Sequence, residues 1–223
     1  MSPLISISSR GYLSRIMIIL ALSLSILSGN AMAATTVDVL LVYETKATTW
    51  VNAHGGMATF SQDVINRMNQ ATLNSGIDLQ FRLAYAMPVA YTTTSSPTAP
   101  LSGDLAALQA GTGAFAAVHT ARNTYGADLV AMLSDTGSAY GYVGQGYILS
   151  TWAGMPTYAF TVSSIQSVAI AHTLTHEVGH NFGAHHARIQ ATQPGPNPNI
   201  DPAFSAAWYL NGTDGKKYHT IMA

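Results

Sequence analysis

Apolar and polar positions fall into recognisable periods along most of the chain. Val37-Asp-Val-Leu-Leu-Val-Tyr43 is an almost unbroken apolar run rich in β-branched residues, the pattern of a buried strand. From Met57 to Asn74 the apolar residues Phe60, Val64, Ile65, Met68 and Leu73 recur at helical spacing, and Ser75-Gly76 supplies a stop. Ile77 to Ala86 alternates and predicts a second strand. Leu101 to Tyr125 reads as helical pieces broken at Gly111 and Gly113, and Ala127 to Leu133 as a third buried strand. Ser138 to Leu149, rich in Gly and Tyr, predicts a more exposed strand, and Tyr158 to Val162 a short one. Ser163 or Ser164 is placed to cap a helix from about Ile165 to Phe182. Thr92 to Pro100 and the proline-rich Gln193 to Pro202 are loops. Strands alternating with helices predict an α/β domain: a mostly parallel sheet with one antiparallel edge strand and flanking helices.

The first 33 residues follow a different pattern. Arg10 and Arg15 precede an apolar core, Ile16 to Leu27, and Ala31-Met32-Ala33 offers small residues at a cleavage point. This is the form of a secretory signal peptide, and its apolar core is too short for a comfortable membrane span. The expectation is a signal peptide over 1–33, a single domain over 34–223, secretion, and no stable membrane association after cleavage.

Without Arg10 and Arg15 the remaining chain has seven basic and ten acidic residues, a net charge of −3. The basic residues are scattered, so no footprint for nucleic acid is present. There is no cysteine, which excludes disulfides, thiolate metal sites and cysteine nucleophiles.

The chemistry is concentrated in His176-Glu177-Val178-Gly179-His180-Asn181-Phe182-Gly183-Ala184-His185-His186. On a helix, His176 and His180 share a face and can aim at one metal ion. Glu177, beside the first ligand, can reach a water molecule on that ion. Gly183 can take a left-handed conformation and turn the chain, bringing His186 back as the third ligand. Three neutral imidazoles leave one tetrahedral position open, the pattern of one catalytic zinc ion, with Glu177 as general base. His185, one residue short of the required spacing, and His172, one turn before His176, read as neighbours rather than ligands.

The extended motif resembles that of the metzincin metallopeptidases, whose members carry a methionine turn after it. Thr220-Ile-Met-Ala223 matches that turn, with Met222 thirty-six residues beyond His186. Within the metzincins the chain is most similar to the reprolysin-like bacterial branch, near the peptidyl-Asp metalloendopeptidases. Val37–Tyr43, Asn74-Ser-Gly-Ile77 and Gly126-Ala-Asp-Leu-Val130 carry that likeness. The resemblance implies a mixed five-stranded sheet over a zinc cleft, a secreted endopeptidase, and protein or peptide substrates. It also implies an edge strand, about Tyr140 to Tyr147, that pairs with extended substrate, with Tyr142 and Val143 as its substrate-facing part.

Two departures from the family pattern stand out. Ala187 follows the third histidine where the branch usually has Asp, a supporting group. The sequence also stops one residue after Met222, where relatives continue into the wall of the S1′ pocket, so the expected domain reads as truncated and a preference for Asp is not carried over.

Two rival readings follow from the residues. Asp214 is an alternative third ligand; a distant glutamate ligand is excluded because Glu44 and Glu177 are the only glutamates. The other rival is a catalytically inactive zinc-binding protein or a gene fragment. No calcium loop is legible in the scattered Asp38, Asp63, Asp128, Asp135, Asp201 and Asp214.

Overall fold

The computed structural model describes residues 35–94, 101–137, 143–201 and 205–223. The expected signal peptide over 1–33 lies outside the described residues, as does Tyr142. Among the described residues no helix is long and apolar enough to cross a membrane.

Thr35–Ala223 form one compact unit. Its strands are β1 (Thr35–Tyr43), β2 (Leu79–Pro88), β3 (Leu129–Ser134), β4 (Gly144–Gly146) and β5 (Phe160–Ser164). They make a five-stranded sheet in the order β2-β1-β3-β5-β4. All neighbours are parallel except β4, which runs antiparallel to β5 at the edge. The mixed sheet and its antiparallel edge therefore follow the sequence expectation.

Helices cover both faces. On one lie α1 (Thr45–Ala53), α2 (Met57–Asn74), α5 (Ile165–Ile170) and α6 (Thr173–Asn181). Their buried residues Val51, Phe60, Val64, Met68, Leu174 and Val178 pack on Val39, Leu41 and Tyr43 of β1. On the other face, α3 (Ser102–Ala110) and α4 (Ala116–Tyr125) bring Leu105, Leu108 and Val118 onto Leu40, Val42, Met132 and Val162. A strand buried on two faces has no polar side, which is why β1 and β3 read as continuous apolar runs. Gly111, left-handed, ends α3 at an expected break, and Gly126, also left-handed, ends α4 just after Tyr125, the expected end of the helical stretch.

At the end of β1 the fully buried Glu44 caps α1. Its carboxylate accepts the main-chain N–H groups of Lys46 (3.0 Å) and Ala47 (2.7 Å). It also accepts that of Asp135 just after β3, at 2.9 Å. The cap thus ties two neighbouring strand ends together with fixed hydrogen bonds.

Two elements differ from the sequence expectation. The single helix over 165–182 is two helices, broken at Ala171, whose backbone is extended (φ −142°, ψ 177°). Arg67 of α2 explains the break: its guanidinium donates to the carbonyls of Val168 (2.6 Å) and Ala171 (3.2 Å). These carbonyls would otherwise accept from the next helical turn. Ser164 stands at the N-cap of α5 without capping it, its hydroxyl bonding the Gln166 side chain instead. The exposed strand expected over 138–149 narrows to Gly144–Gly146 among the described residues.

Beyond α6 the chain forms three small pieces. β6 (His185–Ala187) pairs with β7 (Ala206–Ala207), and β8 (Tyr209–Asn211) forms a hairpin with β9 (Lys217–His219). A turn over Thr220–Ala223 then runs beneath α6, its last main-chain N–H bonded to the Thr220 carbonyl.

Candidate metal centre

α6 carries His176, Glu177 and His180, and it begins only after the break at Ala171. It ends at Gly183, which has a φ of +89°. The Gly183 N–H bonds the His180 carbonyl (2.9 Å) and the Ala184 N–H the Gly179 carbonyl (3.0 Å), closing a left-handed helix stop. A Cβ on Gly183 would lie 3.1 Å from Ile200, so packing as well as backbone conformation calls for glycine. The reversal delivers His186 to the first two histidines. The three rings stand 4.9–5.1 Å apart, centroid to centroid. Their nearest ring nitrogens lie within 4.8 Å of one another, an arrangement able to hold a metal ion.

Hydrogen bonds fix which nitrogens face inward. The Nδ1 of His176 meets the Ile221 carbonyl at 2.7 Å, that of His180 the Ala184 carbonyl at 2.8 Å, and that of His186 the Thr192 carbonyl at 2.8 Å. A carbonyl accepts only, so each Nδ1 carries a proton and each Nε2 is the nitrogen turned inward, offering its lone pair in the neutral ring. The Nε2 atoms of His176 and His186 are 3.1 Å apart. Two lone pairs at that distance repel unless a cation lies between them. A tetrahedral zinc ion with bonds of about 2.0–2.1 Å holds its nitrogens about 3.4 Å apart, so the donor set fits such an ion. Burial pushes His180 down to about 4, and burial likewise holds His176 below the ordinary imidazole range. Both rings are neutral at neutral pH, as ligation requires.

Glu177 lies beside this cluster, with 4% of its surface exposed. Burial pushes its carboxyl up to about 8, opposed by the hydrogen bond it accepts from the main chain of Gly146. A divalent cation nearby would favour the carboxylate. The edge strand reaches Glu177 only because residues 144 and 146 are glycines. A Cβ on Gly144 would run into the Glu177 carboxylate, and one on Gly146 would lie 2.5 Å from the Glu177 carbonyl.

Met222 lies under α6. Its sulfur occupies the place a Cβ on Gly179 would need, so the helix residue between the two histidines has to be glycine. The neighbouring Ile221 carbonyl is the partner of His176. The turn thus supports the cluster by packing and by a hydrogen bond.

The other residues singled out in the sequence lie apart from the cluster. His185 stands on β6 with its ring 3.4 Å from the Pro194 carbonyl. Asp214 sits in the β8–β9 hairpin, bonded to Tyr218 Oη (2.8 Å) and the Lys216 N–H (3.1 Å). His172 immediately precedes α6. Val143 leads into β4, and its carbonyl accepts the Ser164 N–H at 2.7 Å, facing the sheet. By alternation the main-chain groups of Gly144 and Gly146 face the open edge. The sequence reading missed these two glycines; a Gly-x-Gly in a strand marks close backbone approach and would have pointed to them.

A sheet of this order above a helix-borne histidine cluster, with a methionine turn below, defines a metallopeptidase domain of the metzincin type. The chain belongs to metallo-peptidase family M12, whose Reprolysin_5 model matches residues 33–223. No curated protein matches it. Among solved structures it is similar to a chain in a chaperone–substrate complex, at 18% identity and a TM-score of 0.60, covering 86% of this chain and 28% of that one. It is also similar to metalloproteinase-II from Bacteroides fragilis, at 18% identity and a TM-score of 0.45, covering 78% of this chain and 50% of that one. The chain therefore spans about a quarter of the first and half of the second.

Proposed function

We propose that this metallopeptidase is a secreted, zinc-dependent endopeptidase in which His176, His180 and His186 hold one zinc ion and Glu177 is the general base. The observation that carries the reading is the set of three Nδ1–carbonyl bonds, which leaves three convergent Nε2 atoms beside a buried carboxylate. When bound, zinc supplies Lewis acidity, lowering the pKa of water and polarising a peptide carbonyl. Glu177 takes the proton of the attacking water on a carboxylate oxygen and passes it to the nitrogen of the departing amine. The Gly146 N–H fixes the orientation of that carboxylate. Among the described residues β4 pairs on one side only, so its open edge offers main-chain groups to an extended protein or peptide. Tyr142 and Val143 would lead the substrate onto this edge. Secretion rests on the basic, apolar and small-residue succession over residues 1–33.

Purified protein should hydrolyse an unstructured protein such as denatured casein, lose that activity to a chelator and regain it with zinc. Full zinc occupancy without hydrolysis would instead make the chain an inactive zinc-binding member of the family.

Gly144→Ala gives a finer check. Gly144 has an ordinary backbone conformation, so alanine strains nothing except the contact with Glu177. Displacing the carboxylate by about 1 Å should lower kcat on the order of 100-fold, with zinc content unchanged. An unaltered kcat would show that the carboxylate does not need this seat.

A further inference from the structure

The three histidines of the centre come from two segments. His176 and His180 ride on α6, whereas His186 belongs to a strand of three residues, too short to hold its own place. His186 is steadied by the loop that follows. Its N–H donates to the Gln193 carbonyl (3.1 Å), its carbonyl accepts from the Gly195 N–H (2.9 Å), and its Nδ1 meets the Thr192 carbonyl. Ala187, the residue after His186, contributes no polar side chain. The support of His186 therefore depends on how this loop is anchored.

Gln190 closes its start by accepting the Ala187 N–H at 2.7 Å, and a buried amide ties its far end to the helix. Asn197 is 1% exposed, and its Nδ2 donates to the carbonyls of Leu149 (2.8 Å) and Gly183 (3.0 Å). Its Oδ1 accepts the Asn199 N–H (3.0 Å), and its own N–H donates to Ser205 Oγ (2.6 Å). Two carbonyls demand the amide NH2 and an N–H demands the oxygen, so the orientation of the amide is fixed by its partners. Two of these partners lead back to the centre. Gly183 is the turn that ends α6, and the Leu149 N–H donates to the His180 carbonyl at 3.0 Å. Ser205, in turn, offers its carbonyl to the His185 N–H at 2.7 Å. A single carboxamide therefore braces the segment bearing His186 against the helix end bearing His180.

We propose that Asn197 is a positioning residue of the metal centre: through Gly183, Leu149 and Ser205 it sets His186 against His176 and His180, and so sets metal affinity. The inference rests on the reading of the three histidines as zinc ligands. Aspartate at 197 keeps the shape but puts a carboxylate against two carbonyls, removing both donated bonds.

The test uses the full chain with Asn197→Asp, zinc affinity by competition with a chromogenic chelator, the ligand-field spectrum of the cobalt(II)-loaded protein, and melting of metal-stripped protein. Zinc affinity should fall about 10–100-fold, the range for a lost supporting partner, with an altered cobalt spectrum. Native affinity and spectrum with only a lower melting temperature would reduce Asn197 to a structural residue and overturn the proposal. Should Asn197→Asp fail to fold, Ser205→Ala decides, because it removes one bond to the same brace. It should weaken zinc about threefold to tenfold, and unchanged affinity would again overturn the proposal. His186→Ala, measured in parallel, separates the two readings. If it too binds zinc normally, the ligand assignment has failed; if it alone loses zinc, only the role of Asn197 has.

Discussion

Glu177→Gln is expected to leave one zinc ion per chain and to lower peptide hydrolysis by on the order of 100- to 10,000-fold, the usual share of a positioned general base. The amide is the same size as the carboxylate, so the narrow seat against Gly144 still accommodates it. Its oxygen still accepts the Gly146 N–H that the carboxylate accepts. The site is buried enough to push the native carboxyl up to about 8, so a neutral amide is no worse tolerated there than an ion. What is lost is the capacity to take a proton from water. Steady-state kinetics on an internally quenched peptide, with zinc measured by atomic absorption on the same sample, checks the prediction. If Glu177 acts on the reacting atoms and the strand edge binds the substrate, as proposed, the fall should appear in kcat, with KM little changed. A variant as active as the native protein would remove Glu177 from the mechanism; loss of zinc would mean that it helps hold the metal.

The legible parts of this molecule were those written in local periods. β1 and β3 are buried on both faces and show as apolar runs, while α2 shows its buried stripe at Phe60, Val64, Ile65 and Met68. The histidine spacing is equally local: His176 and His180 share a helix face, and Gly183 is the turn that its position implied. Features set by distant partners were not legible. The break at Ala171 depends on Arg67, which approaches from α2 and takes the carbonyls of α5. The glycines of β4 carry no chemistry of their own, and their meaning appears only when Glu177 is found against them. Asn197 lies in a proline-rich stretch that reads simply as loop, because its five residues on either side say nothing of Gly183 or Leu149. The support of His186 has a similar lesson: the Thr192 carbonyl orients that ring, and a main-chain group leaves no trace in the sequence.

His186→Ala should abolish tight zinc binding, while His185→Ala and Asp214→Ala should leave it unchanged. Two adjacent histidines follow the glycine turn, and main-chain geometry decides between them. The β6–β7 pairing is irregular between His185 and Ala187, but the main chain separates the two histidines: the His185 N–H bonds the Ser205 carbonyl beside β7, whereas His186 bonds Gln193 and Gly195 on the opposite side. His186 is the one that meets His176, with Nε2 atoms 3.1 Å apart. His185 is instead directed at the Pro194 carbonyl, and Asp214 spends its oxygens on Tyr218 and the Lys216 N–H in a separate hairpin. Removing a ligand leaves two imidazoles and solvent, so the loss should exceed the roughly 10–100-fold cost of removing a supporting partner. Competition against a chromogenic chelator measures all three variants on one scale. Loss of zinc in His185→Ala with retention in His186→Ala would require β6 to be shifted by one residue, which would also turn Ala187 out of its buried position. The buried alanine therefore supports the same register as the ligand assignment, independently of any metal.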